Sequence, residues 1–192
     1  MLYDEIQSVF QICSYLLAYP DQVFHETLSD LEEAEVKELS PGKIKQELGQ
    51  FISAAKKLTV DEFIHTYVYT FDFGKKTNLY VTYMTSGEQR ERGIDLLFLK
   101  NYYKLHGFEA TELELPDYLP MMLEFAGQVD KETLQPVFER YFENMVEIRD
   151  RLTEQNNLYR HVLEAVVEAV KEAGITETKR RGEEAWSTNL FG

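Results

Sequence analysis

Three carboxylates surround one short apolar run. Glu114 and Asp117 precede, and Glu124 interrupts, the segment Tyr118-Leu119-Pro120-Met121-Met122-Leu123-Glu124-Phe125-Ala126. Carboxyl groups beside apolar side chains can have their pKa raised into a range useful for proton transfer, so these residues are candidates for an acid and base pair. A simpler role is also open to each. Asp117 can accept hydrogen bonds from the first free N–H groups of a following helix, and partial exposure accounts for Glu124. At helical spacing Asp117, Met121, Glu124 and Gln128 form one stripe. That stripe is either a surface fit to grip a peptide or a helix with one wet edge.

Other chemistries find weaker support. His25, His65, His106 and His161 lie on four separate predicted elements, without the His-x-x-x-His or Glu-x-x-His spacing that places metal ligands on one helical face, so no metal site is expected. Cys13 falls on an apolar stripe, where cysteine acts as a small hydrophobe. Gly74-Lys75-Lys76-Thr77 matches only the tail of a phosphate-binding loop and lacks its earlier glycine and preceding strand.

The elements that must position these residues read as helices. Tyr3 to Tyr19 carries apolar residues near the 3.6 period and ends at Pro20. Asp21 caps a second helix through Phe24, Leu28, Leu31 and Val36, broken by Ser40-Pro41-Gly42. A third carries Ile44, Leu48, Phe51, Ile52 and Ala55. Thr59-Val60-Asp61-Glu62 is a capping box opening a fourth, which frays near Thr70. Tyr67, Tyr69, Phe71 and Phe73 alternate as in a strand, but no partner strand exists to take the hydrogen bonds, so helix is the expectation. A short fifth helix is expected from Leu79 to Met84, and a sixth from Glu88 to Leu105 with Gly107 as a left-handed stop. Arg90 and Arg92 have the wrong sign for that helix start and call for partners. The central helix should begin at about Tyr118, with Asp117 as its cap and Pro120 in its first turn; it either fills the middle of a bundle or presents an apolar face. Asp130 caps the next helix, with Pro136 confined to its start. Asn156-Asn157 breaks it, and a last helix closes at Gly174. The expected fold is all-α: one domain over residues 1–174, a bundle of about eight to ten helices, with a mobile tail at 175–192.

Composition narrows the partners. With 20 basic against 34 acidic residues the 192-residue chain carries a formal charge of −14, which disfavours nucleic acid and anionic lipid and favours neutral or basic partners. One cysteine excludes an internal disulfide framework and suits a reducing cytosol. No window approaches the ~20 apolar residues of a membrane span, and no basic-then-apolar secretory signal opens the chain.

A resemblance adds what composition cannot. Thr70-Phe71-Asp72-Phe73, then Lys76-Thr77-Asn78-Leu79-Tyr80-Val81-Thr82-Tyr83, Gly87 through Arg90, Arg92-Gly93, and finally Glu114 through Phe125 resemble, in order and spacing, the respiratory nitrate reductase delta-subunit family of NarJ-type assembly chaperones. The likeness is sharpest from Thr70 to Phe125. Where relatives often carry histidine after the Leu-Tyr-x-Thr-Tyr motif, this chain has Met84.

The resemblance implies an all-helical, cytoplasmic chaperone that is neither an enzyme nor a subunit of the finished reductase. Its partner would be the apo nitrate reductase alpha subunit, including the N-terminal peptide, within the alpha-beta complex. It would hold that client competent for molybdenum cofactor insertion and iron–sulfur cluster loading before membrane attachment, with no cofactor or metal of its own and homodimerisation open. Position by position it points to Asp72, Phe73, Lys76, Leu79, Tyr80, Tyr83, Arg90, Arg92, Gly93, Pro116, Asp117, Tyr118, Pro120, Glu124 and Phe125. With Met121 added from the stripe, an amphipathic client peptide would set its apolar side against Leu79, Tyr83, Tyr118, Met121 and Phe125, and its basic or N–H-rich end against Asp117 and Glu124. The alternatives are a chaperone for a dimethyl sulfoxide or trimethylamine oxide reductase, a small enzyme using Asp117 and Glu124, and a generic helical adaptor.

Overall fold

Short-range capping chemistry sets where three of the helices start. The computed structural model describes residues 1–74, 76–84, 89–109 and 113–175. They form eight α-helices: α1 (Tyr3–Leu16), α2 (Gln22–Leu31), α3 (Lys43–Ala55), α4 (Val60–Phe71), α5 (Gln89–Leu105), α6 (Leu119–Ala126), α7 (Lys131–Glu154) and α8 (Arg160–Glu172). Asp21 accepts from the Phe24 N–H and Asp130 from the Thr133 N–H, at 2.7 and 2.8 Å. Thr59 and Glu62 close the reciprocal capping box on α4. Gly107 and Gly174 end α5 and α8 with φ of 84° and 71°, the left-handed region glycine enters at no steric cost. Asn156 adopts φ 50° between α7 and α8.

A single hydrophobic cluster draws on all eight helices. The chain is all-α, and α8 lies at the centre, packed on α1, α3 and α7, while α6 packs on α1. Seven residues of α8, among them Val162, Val166, Val167 and Val170, are buried. Burial on this scale overrides the modest helix propensity of valine. The second helix passes into one π-type turn, Glu32–Val36, whose extra residue brings Val36 inward to 3% exposure.

Three expectations are corrected. Leu79–Met84 is not a helix: Tyr80 forms an isolated antiparallel bridge with Tyr118, and Val81–Met84 makes one 3-10 turn. Its backbone bonds go across the chain, Val81 N–H to the Asp117 carbonyl at 2.9 Å and Leu119 N–H to the Leu79 carbonyl at 2.8 Å. Asp117 does not cap α6, whose N-cap is Tyr118. Pro136 lies in the second turn of α7, where it removes one ladder donor. The apolar run at α6 fills the middle of the bundle: Leu119, Pro120, Met122, Leu123, Phe125 and Ala126 are buried.

Candidate functional site

The site is built around α6, and α1 holds α6 in place. The last carbonyls of a helix lack intrahelical donors and must find others. Here α1 supplies one at Gly127, the C-cap of α6, and from the same polar stripe also reaches carbonyls at Pro120 in its first turn and at Val129 just beyond it. Tyr3 Oη and Gln7 Nε2 donate to the Val129 carbonyl at 3.2 and 2.9 Å, Gln11 Nε2 donates to the Gly127 carbonyl at 3.1 Å, and Ser14 Oγ to the Pro120 carbonyl at 2.7 Å. Close approach at Gly127 makes this possible, since a Cβ there would collide with the Gln11 Cγ and crowd the Gln7 carbonyl.

Beside this seam runs an open cleft of about 640 Å³. Tyr118, Pro120, Met121, Glu124, Phe125 and Gln128 line it from the α6 side, Gln11, Ser14, Tyr15 and Ala18 from α1 and its end, and Tyr103, Phe108, Glu109 and Glu114 from the far wall. Phe125 is nearly buried, flanked by the rings of Tyr103 and Phe108 at 4.8 and 5.1 Å. The apolar surface left open belongs to Met121, Tyr118, Phe108 and Tyr15, and the margin carries three glutamates.

A second cleft of about 670 Å³ gathers Phe71, Asp72, Phe73, Gly74, Asn78, Tyr80, Tyr83, Arg92 and Leu115. Phe73 and Tyr83 stand 74% and 56% exposed in it. Between the two clefts Tyr80 Oη donates to Glu114 at 2.6 Å, and the Tyr80 and Tyr118 rings lie 5.5 Å apart. Burial, then the Glu114 carboxylate, raise the Tyr80 pKa above that of an ordinary phenol. Tyr118 Oη meets Tyr67 Oη at 3.2 Å, and Tyr67 donates to the Leu17 carbonyl.

Asp117 is fully buried behind this wall. Its Oδ2 accepts from Thr82 Oγ1 at 2.7 Å and Thr82 N–H at 3.3 Å, and lies 3.7 Å from the Arg92 guanidinium. Its Oδ1 has no hydrogen-bond partner among the described residues. Arg92 also donates to Thr82 Oγ1 and covers the Tyr83 ring at 5.5 Å, so the misplaced cation at the α5 start has its partners. Gly74 is a packing glycine, since a Cβ would strike the Thr70 carbonyl and Thr77 Oγ1.

The residues named from sequence thus divide. Tyr118, Pro120, Met121, Glu124 and Phe125 meet at the first cleft; Asp72, Phe73, Tyr80, Tyr83 and Arg92 meet at the second. Leu79, Pro116 and Asp117 are buried and Lys76 is exposed outside both clefts; the Arg90 side chain lies outside the described residues. The expected stripe is broken at its first member, because Asp117 turns inward while Met121, Glu124 and Gln128 face the cleft. Sequence reasoning missed the α1 wall. Its signal was present as Gln7, Gln11, Ser14 and Ala18, a second stripe at helical spacing opposite the apolar one.

Among the described residues no three His, Cys, Asp or Glu side chains are grouped to hold a metal. His161 pairs with Glu47 at 2.6 Å and His25 with the Leu58 carbonyl at 2.9 Å. Burial pushes the Cys13 thiol pKa up, opposite to what a nucleophile needs. No described helix is long and apolar enough to cross a membrane.

Residues 37–171 match the family model described as nitrate reductase delta subunit. The chain belongs to that family. A Bacillus subtilis (strain 168) delta-family relative, the probable nitrate reductase molybdenum cofactor assembly chaperone NarJ, is 45% identical over 172 residues, covering 90% of this chain and 93% of its own. The nitrate reductase molybdenum cofactor assembly chaperone NarJ of Escherichia coli (strain K12) is 31% identical over 62% of this chain and 50% of its own. The nitrate reductase-like protein NarX of Mycobacterium tuberculosis (strain CDC 1551 / Oshkosh) is 32% identical over 82% of this chain and 24% of its own. Both delta-family motifs therefore lie inside the matched span, and the bridge between Tyr80 and Tyr118 ties one to the other.

Proposed function

We propose that this delta-family member is an assembly chaperone for a nitrate reductase. In the cytoplasm it holds the immature alpha subunit, through an amphipathic basic segment that includes the amino terminus, while molybdenum cofactor is inserted and iron–sulfur clusters are loaded ahead of membrane attachment. The observation that carries this reading is the α1–α6 cleft, an apolar trough with Glu109, Glu114 and Glu124 at its margin, in a chain whose relatives are named as molybdenum cofactor assembly chaperones.

The client's apolar side would cover Met121, Tyr118 and Phe108 at about 25 cal/mol per Å², less the cost of ordering the peptide. Its cations would meet the glutamates, which steers encounter and sets register. Asp117 takes no part in contact and acts behind the wall. The chain has no turnover of its own in this reading; it lowers the free energy of one unfinished state.

Calorimetric titration of a synthetic peptide from the alpha-subunit amino terminus, at two salt concentrations, tests this. Affinity is expected to fall with salt and to drop about tenfold or more in Met121→Lys and Glu124→Lys, both at the open rim. Full affinity in both variants would exclude the cleft, and failure of the chain to co-purify with immature reductase would exclude the role.

A further inference from the structure

Gln11 and Gln128 are among the residues lining the α1–α6 cleft, and α7 begins three positions beyond Gln128. Ile175 is buried and donates its N–H to the Val170 carbonyl at 3.2 Å. A Cβ on Gly174 would sit 2.9 Å from Lys131 Nζ, so α8 ends against the first residue of α7, three positions beyond Gln128. Ile175, the last described residue, is thus one lysine side chain away from the segment that follows Gln128.

Seventeen residues follow, 176 to 192. Extended at about 3.3 Å per residue they reach ~55 Å, whereas Tyr118 to Gln128 spans only ~15 Å along a helix axis. Their chemistry suits the cleft. Lys179-Arg180-Arg181 is a run of three cations in a chain of net charge −14. After Gly182-Glu183-Glu184 come the apolar residues Trp186 and, four and five positions on, Leu190 and Phe191. A basic block followed by an amphipathic block is what an acidic-rimmed apolar trough selects.

We propose that residues 179–191 dock into the α1–α6 cleft of their own chain, with the cations toward the glutamate margin and Trp186 against Met121 and Phe108. Tethering supplies an effective concentration of about millimolar, so a contact too weak to hold a free peptide is populated here. The consequence for the client, that it must displace this segment, rests on the proposed function; the docking itself does not.

Trp186 is the sole tryptophan, so its emission reports the segment alone. In the full chain it should emit at shorter wavelength than in the free 176–192 peptide and resist iodide quenching several-fold better. Met121→Lys and Glu124→Lys should return both readings to those of the peptide while leaving the helical circular dichroism intact. A chain ending at Ile175, which keeps all eight helices, should bind the client peptide about tenfold more tightly than the full chain. Emission identical to the free peptide overturns the docking, as does a blue shift that survives both variants or one that grows with protein concentration. If the variants abolish the shift but truncation leaves client affinity unchanged, the docking stands and the client's use of this cleft falls.

Discussion

Thr82 gives both its hydroxyl and its N–H to one carboxylate oxygen of Asp117, thirty-five positions away, in a pocket closed to solvent. The pair joins the 3-10 turn to the segment entering α6, and Arg92 balances its charge from 3.7 Å. A buried carboxylate held this way is costly to break from one side, because its donors are left without an acceptor.

Asp117→Ala should therefore lower stability by about 2–4 kcal/mol, and Asp117→Asn, which keeps an acceptor, by less. Urea unfolding with unchanged slope is the measurement. A wild-type midpoint in the alanine variant would remove Asp117 from the supports of the cleft wall.

How much of this was legible follows from distance along the chain. Asp21, Thr59 with Glu62, and Asp130 act on partners three residues away, so the starts of α2, α4 and α7 could be read directly. Gly107, Asn156 and Gly174 carry their meaning in their own backbone angles. Asp117 has the same chemical type as those caps, and local reasoning gave it the same role; its actual donors sit on Thr82. Likewise Leu79–Met84 reads as helical in sequence because nothing nearby shows that its backbone bonds go to 117–119. The α1 wall depends on carbonyls 106 to 126 positions downstream, a pairing no local pattern encodes.

The α1–α6 seam yields a coupling prediction. Gln11→Ala should cost about 1 kcal/mol by freeing the Gly127 carbonyl, and Gly127→Ala about 1–3 kcal/mol by overpacking. Because the obstructing atom at Gly127 is Gln11 Cγ, the second change should cost less once the first is made. Strict additivity in thermal or urea unfolding would show that the helices are not held by this contact.

Tyr159 sits among Phe51, Phe63 and Phe71, ring centres 5.2, 6.1 and 4.8 Å away, and its hydroxyl is buried without a hydrogen-bond partner among the described residues. Tyr159→Phe removes a desolvated polar atom and keeps the ring, so stability should rise by about 1 kcal/mol. A loss of that size would mean the hydroxyl is bonded in solution.

Alkaline behaviour follows from the phenols. Burial, aided by Asp130 and Glu132, pushes Tyr3 up to about 12, and burial raises Tyr67, Tyr103, Tyr141 and Tyr159 further. A group whose folded pKa exceeds its unfolded value contributes stability fully present below about pH 10 and lost as pH rises toward the folded values. Between about pH 10 and 12 the native chain should show less phenolate absorbance than the same chain in denaturant, then lose its fold as the remainder ionises. Coincident titrations in the two states would contradict the burial of these hydroxyls.

The bridge at Tyr80 and Tyr118 sets a mechanical limit. Helices packed through side chains can tilt or slide past one another while every main-chain bond stays intact. The two cross-chain bonds at 79–81 and 117–119 allow no such slippage, since they either hold or rupture. The troughs on either side therefore share a rivet, and widening one must turn about it.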